Sequence, residues 1–303
     1  MSTKIKVFVL SLKNSNRTKL IIKRLKDIKI NFKILYGING KKKINYQKLE
    51  KLYDKEKTQN YIGRQLSYPE IAASYAHISA YKIIIKKKIK SAIIMEDDIY
   101  PSKALKWWIK NNVSIKNNYI LGFYSYPALG FVYKKAKKII ANGKIKIHDS
   151  RTHLFNGSCY QINFNTCKKI LKFTNGKVCG FSDWPFNLKK NKIKLGVTIP
   201  YLNTFFKNVS YTSDSRSEYD IKLFKFTEKF PNAFQAVLRF FYYISYLSFF
   251  VRKYSNVDFY NEQFFSKYFE QIKNLLTNKY YNTKKIFFDK NFYFDDLQIK
   301  VGK

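Results

Sequence analysis

Hydrophobic and polar positions along the first two hundred residues follow two alternating rhythms. Lys4 to Leu12 carries an apolar run that reads as a buried strand, and the polar turn formers Lys13 to Arg17 lead into Leu20, Ile21, Ile22, Leu25 and Ile28 at helical spacing. Strand, polar loop and helix in that order open a βα unit. A short apolar alternation from Asn31 to Leu35 predicts a second strand, ended by the turn formers of Tyr36-Gly37-Ile38-Asn39-Gly40. Residues 41–66 are charged and poorly periodic, which predicts a mobile loop with a short helix. From Tyr68-Pro69 the pattern is helical: proline suits a first turn, and Ala72, Ala73, Ala76 and Ala80 leave small side chains able to pack closely on a sheet. After Lys86-Lys87-Lys88, Ala92-Ile93-Ile94-Met95 predicts a buried strand that passes directly into Glu96-Asp97-Asp98.

Apolar alternations over Tyr119 to Phe123, Gly130 to Tyr133 and Lys144 to Ile147 predict more β structure. Asn156 to Ile162 reads as a further strand, and Asn165 as the cap of a helix from Thr166 to Phe173. Ser182 or Asp183 is placed to cap another helix, with Pro185 in its first turn. Strands alternating with helices predict an α/β domain over residues 1–205 with a mostly parallel sheet. Residues 206–303 differ in character and read as an aromatic-rich, mainly helical C-terminal region. Residues 221–303 hold 25 of the 52 Phe and Tyr but only +7 of the net charge. Within them, Phe240 to Val251 is bracketed by Arg239 and Arg252-Lys253. That run is too short to span a bilayer, but it suits either a helix lying in the interface or a helix packed on the α/β domain.

Composition sets limits on partners. The 303 residues include 58 Lys+Arg and 20 Asp+Glu, a formal charge of +38. With 46% hydrophobic and 18% aromatic content the chain can still bury a core, so disorder is excluded, and 11 Gly with 6 Pro exclude a collagen-like polymer. Only 7 of the basic residues are Arg, and the abundant Asn, Ile, Tyr and Phe share AT-rich codons with Lys, so part of the charge is compositional background. The remainder favours anionic surfaces: nucleotide, phospholipid or nucleic acid. Cys159, Cys167 and Cys179 show no zinc spacing and read as buried free thiols in a reducing compartment, with a disulfide as the alternative. The N-terminal apolar run is too short for a signal-peptide core, and no run reaches the length of a membrane span, which predicts a cytoplasmic protein.

Glu96-Asp97-Asp98 stands out against that background. With 20 acids in the whole chain, three in a row at the end of a buried strand repel one another and are costly to desolvate unless a cation compensates them. Ligands of α/β sheets gather at the carboxyl ends of strands, and oxygen-only donors suit Mg²⁺ or Mn²⁺ shared with a diphosphate. A solvated acidic turn is the alternative. Arg17 follows the first strand, where it reads either as a bidentate phosphate donor or uracil-stacking partner, or as a surface residue of the first helical turn.

Val7 to Leu12 with Ser15-Asn16-Arg17, then Tyr36 to Gly40, Glu70-Ile71-Ala72 with Ala76-His77, and Ala92 to Asp98 together resemble glycosyltransferase family 25, which includes bacterial lipooligosaccharide galactosyltransferases. Asn156 to Ile162 with Lys168-Lys169-Ile170-Leu171 is similar to the family's glycine-strand-helix segment, and Ser182-Asp183-Trp184 to its later aspartate motif. Ala73 and Ala76 stand where the family usually has Cys and Ser, which are small-for-small changes. The resemblance covers residues 4 to about 188.

The resemblance implies a GT-A fold in which Glu96-Asp97-Asp98 serves as the D-x-D motif. Asp98 would bind Mn²⁺ or Mg²⁺ directly, and Glu96 would contact the ribose or the ion through water. Ser11, Arg17, Asn39, Asp97 and Gly157 fall in the segments that would bind the nucleotide-sugar. Sugar transfer with inversion needs a base for the acceptor hydroxyl and neutralisation of the leaving diphosphate. Asp183, a lone acid at a helix start, is the first choice for that base and Glu70 the second. His77, in an apolar helix, reads as a core histidine; His148 and His153 are further metal or phosphate contacts to consider. The reading is therefore a hexosyltransferase, moving galactose from UDP-galactose to a lipooligosaccharide or other lipid-linked surface glycan, peripheral at the cytoplasmic face of an anionic inner membrane, with no nucleic-acid partner. Two rivals stand beside it. One is a basic, aromatic-rich protein that binds nucleic acid or anionic membrane without catalysis, and the other is a transferase fold that has lost its activity.

Overall fold

The computed structural model describes residues 4–62, 65–123, 138–140, 145–149, 157–180, 193–199 and 202–205. Among these, β1 (Lys6–Ser11) leads to α1 (Asn16–Asp27) and β2 (Lys33–Tyr36). A 3₁₀ turn (Lys43–Asn45), α2 (Tyr46–Lys51) and α3 (Lys55–Ile62) then stand where a loop with one short helix was expected, and α4 (Tyr68–Lys86) follows. Next come β3 (Ser91–Glu96), β4 (Ile99–Pro101), α5 (Lys103–Lys110), β5 (Tyr119–Gly122), β6 (Lys138–Ile140) and β7 (Ile145–Asp149). β8 (Cys159–Asn163), α6 (Phe164–Thr174), β9 (Lys194–Ile199) and β10 (Asn203–Phe205) complete the order.

Eight strands form one sheet in the order β2-β1-β3-β8-β5-β9-β7-β6, and β4 pairs with β10 in a separate antiparallel ribbon. β1 runs parallel to β2 and β3, and β5 parallel to β9, while β8 and β7 run against their neighbours. Six of the eight strands therefore share one direction, as the alternation of strands and helices predicts. The reversal of β8 has a consequence for the site. It brings the start of that strand, Gly157 and Ser158, to the edge where β1, β2 and β3 end, and Glu96 N–H donates to the Ser158 carbonyl at 2.7 Å.

Strand alternation sorts apolar side chains onto two faces. Val7, Val9, Ile93 and Met95 pack with Ile21 and Leu25 of α1 and Leu105 and Trp108 of α5. Phe8, Leu10, Ile94, Tyr160 and Ile162 pack on the other side with Ile78, Tyr81 and Ile84 of α4 and Cys167 and Ile170 of α6. The result is a sheet between two helical layers, an α/β architecture. All three cysteines are buried and free. Among the described residues no helix is long and apolar enough to cross a membrane.

Local signals explain most boundaries. Ser67 caps α4 by accepting from Glu70 N–H, and the Glu70 carboxylate accepts from Ser67 N–H, a capping box with proline in the first turn. The helix after β8 begins two residues earlier than the sequence predicts: Asn163, not Asn165, is its cap, accepting from Thr166 N–H at 2.9 Å. Asn175 and Gly176 adopt positive φ and end that helix as an Asn-Gly turn should. The expected strand at Gly130 to Tyr133, the expected helix after Asp183, and the whole C-terminal region with Phe240 to Val251 lie outside the described residues.

Candidate functional site

The same two-residue alternation that builds the core separates the three carboxylates at the end of β3. Glu96 follows Ile94 onto the α4 face, and Asp97 follows Met95 onto the α1 face. Each finds a different set of partners.

On the α4 side, Glu96 Oε1 lies 3.2 Å from His77 Nε2, and His77 Nδ1 lies 2.9 Å from the Tyr160 hydroxyl. Tyr160 in turn meets the Tyr81 hydroxyl at 2.7 Å. His77 is buried as a core histidine should be, but it is not an isolated one. Its ring joins Glu96 to a buried pair of tyrosines whose hydroxyls are pushed well above their usual pKa by burial.

Asp97, on the α1 side, is buried. Its Oδ2 accepts from Ser11 Oγ at 2.6 Å and its Oδ1 lies 3.1 Å from Arg17 Nε. Ser11 Oγ also contacts the Thr18 hydroxyl. Burial raises the Asp97 pKa in spite of the Ser11 hydrogen bond and the Arg17 charge, which both pull it down, so desolvation outweighs the two partners. Arg17 is thus tied to the carboxylate through Nε.

Asp98 differs from both. Its Oδ1 is fully buried and, among the described residues, accepts no hydrogen bond. Burial first, and then the Glu96 charge, push its pKa up to about 7, with Arg17 opposing. An ionised oxygen in that position is costly unless a donor or a cation reaches it. The segment behind it is held firmly: β4 starts at the next residue, Arg24 Nε donates to the Pro101 carbonyl at 2.9 Å, and its guanidinium lies 4.1 Å over the Tyr100 ring. No three His, Cys, Asp or Glu side chains among the described residues group as a complete metal cage. An ion here would hold one or two carboxylates and take its remaining ligands from water and substrate oxygens, which is how Mg²⁺ and Mn²⁺ usually sit on diphosphates.

The model of glycosyltransferase family 25 (LPS biosynthesis protein) matches residues 4–180, the segment that contains every group just described. The chain belongs to glycosyltransferase family 25. Membership makes it a glycosyltransferase with a sugar donor and a glycan acceptor, of the group linked to lipopolysaccharide biosynthesis. No curated protein matches the chain.

Within this family-25 chain the expected site residues fall in different places. Ser11, Arg17, Glu96, Asp97, Asp98 and Gly157 meet at one edge of the sheet. Asn39 lies in the loop after β2, where its Oδ1 accepts from Lys41 N–H and its carbonyl from Asn45 Nδ2, so it shapes the loop. Glu70 is buried in the α4 capping box, where its carboxylate accepts from Ser67 N–H and from the Ser67 hydroxyl. Asp183 and His153 lie outside the described residues, and His148 falls in β7. Sequence reasoning missed Thr18, Tyr81 and Tyr160. The available signal was the four-residue spacing of His77 and Tyr81, two polar groups on one face of an apolar helix.

Proposed function

We propose that this family-25 protein is an inverting hexosyltransferase that moves galactose from UDP-galactose onto a lipooligosaccharide or other lipid-linked surface glycan. In that reaction the acceptor hydroxyl oxygen bonds to the anomeric carbon from the face opposite the leaving group, the bond from that carbon to the diphosphate breaks, UDP departs, and a base takes the hydroxyl proton. The observation that carries the reading is the buried, unpartnered Oδ1 of Asp98 beside Glu96 at the carboxyl end of β3. Asp98 and Glu96 fit a divalent ion, Mn²⁺ or Mg²⁺, which when bound would supply positive charge against the leaving diphosphate. Asp97 does not share that task. It anchors Arg17 and Ser11, so that the guanidinium stands at the mouth of the site as a fixed cation for phosphate oxygens. Asp183 is the assigned base on sequence grounds.

An acceptor with a lipid anchor calls for a protein that works at a membrane surface. Ile44, 89% exposed on the 3₁₀ turn and flanked by Lys41, Lys42 and Lys43, gives the described domain a feature suited to an anionic bilayer. The direct test of the whole reading is thermal stabilisation of the full chain by UDP plus Mn²⁺, followed by UDP release over a panel of nucleotide sugars. Stabilisation that needs both components, and release fastest with UDP-galactose, is expected. A protein indifferent to UDP and Mn²⁺ at millimolar concentrations would be a binding protein of another kind.

A further inference from the structure

Two buried tyrosines and a histidine lead from the middle of the α4 layer to Glu96, and the reaction as described uses none of them. With a single proton on the His77 ring, their hydrogen bonds run in one direction. The Glu96 carboxylate accepts and cannot donate, so the proton shared with it resides on His77 Nε2; the neutral imidazole then has a bare Nδ1, which accepts from the Tyr160 hydroxyl. With its proton committed to His77, Tyr160 accepts from Tyr81. The donations run Tyr81 to Tyr160 to His77 to Glu96, each link polarising the next in a low-dielectric setting.

Every member but the last is inaccessible to solvent, and each is fixed by its own element. Tyr81 lies one helical turn beyond His77 on α4, and Tyr160 pairs across the β3–β8 ladder with Ile94, two residues before Glu96. Glu96 is the exit of the chain, with 33% of its side chain exposed. A partly exposed glutamate on a strand end has three rotatable bonds and would ordinarily sample several orientations. Here Oε1 is held, and Oε2 remains for a ligand.

We propose that Tyr81, Tyr160 and His77 are positioning residues for Glu96, fixing Oε1 so that Oε2 is presented in one orientation to the ribose hydroxyls or hydrated ion of the sugar-nucleotide donor. The ligand named here rests on the donor reading above; the direction of the chain does not. A positioning role differs from a packing role in its coupling. The tyrosine hydroxyls matter to donor binding only through Glu96, so their removal has no further effect once Glu96 can no longer act.

The experiment uses the full chain with UDP plus Mn²⁺ as the probe. Tyr160→Phe keeps the ring and removes the hydroxyl, and Tyr81→Phe does the same one link further away, so that two mild variants support the more disruptive His77→Ala. Affinity for UDP–Mn²⁺ measured by calorimetry should fall about tenfold in Tyr160→Phe and His77→Ala and less in Tyr81→Phe. His77→Gln, whose amide can donate to Glu96 unaided, should recover affinity to within about threefold of the original. In a Glu96→Gln background Tyr160→Phe should change affinity less than twofold, whereas an undiminished tenfold loss there would make Tyr160 a packing residue and overturn the proposal. Two-bond ¹H–¹⁵N correlation of His77 at neutral pH, identified by its loss in His77→Gln, should show a protonated Nε2 and a bare Nδ1. A protonated Nδ1 would overturn the direction of the chain. If the unaltered protein does not bind UDP with Mn²⁺, the donor reading fails, and the histidine spectrum with and without Glu96→Gln still decides whether the chain exists.

Discussion

Arg17 Nε lies 3.1 Å from Asp97 Oδ1, so the first turn of α1 and the end of the third strand are joined by a partly buried ion pair. The pair explains how a buried Asp97 is tolerated in a protein with a pKa shift that opposes its charge. Arg17→Ala should therefore lower stability by about 2 kcal/mol near neutral pH, because it leaves a desolvated carboxylate with serine hydroxyls but no cation beside it. The loss should shrink as the pH falls and Asp97 takes up a proton. Denaturant unfolding at pH 7.5 and pH 4.5 checks this; an equal loss at both would mean that the ion pair is not the cause.

The Asp98 carboxyl makes a second pH prediction. Its folded pKa is raised to about 7, whereas the unfolded chain releases the same proton near 4, so between those values the native state holds more protons than the unfolded one. Its contribution to stability is fully present below about pH 4 and is lost as the pH rises through about 7. Without metal, the melting temperature of Asp98→Asn relative to the unaltered protein should therefore rise over that window. Added Mn²⁺ should raise the melting temperature of the unaltered protein above pH 7 and leave Asp98→Asn unmoved. A melting difference that stays flat from pH 4 to 8 would remove the strain assigned to this carboxyl.

Glu70 separates cap from catalyst. Gln serves in a capping box as Glu does, so Glu70→Gln should keep both stability and UDP release, whereas Ser67→Ala should cost about 1 kcal/mol through the lost cap. A hundredfold loss of turnover in a stable Glu70→Gln would make Glu70 the base.

Gly40 allows the loop after β2 to lie against the start of α4. A Cβ there would stand 2.5 Å from both the Pro69 Cα and the Tyr68 carbonyl, neither of which can swing away. Gly40→Ala should lower the melting temperature by several degrees, in line with the roughly 1–3 kcal/mol of an overpacked site. A melting temperature within a degree of the original would show that loop and helix can separate freely.

Much of this fold was legible because its signals are local. β1, α1, α4 and β3 follow from apolar period, cap and breaker residues, and the position of Glu96, Asp97 and Asp98 at a strand end follows from the run before them. What stayed hidden depends on distant partners. Strand direction for β8 is set by a long connection, so nothing near Asn156 announces that Gly157 begins, rather than ends, at the site. α5 passed unread because its eight residues carry three lysines around Leu105 and Trp108. The Asn163 cap was misplaced because three polar residues near it can all serve. The roles of the three acids were equally invisible: composition groups them, and only the layers above and below the sheet tell them apart.

The strand register thus acts as an address system in which neighbouring letters are delivered to different floors. Exchanging Glu96 and Asp97 would preserve charge, composition and the run of three acids. It would also set a side chain one carbon too short beneath His77 and one carbon too long against Ser11 and Arg17. In this protein the order of two acids carries as much information as their presence.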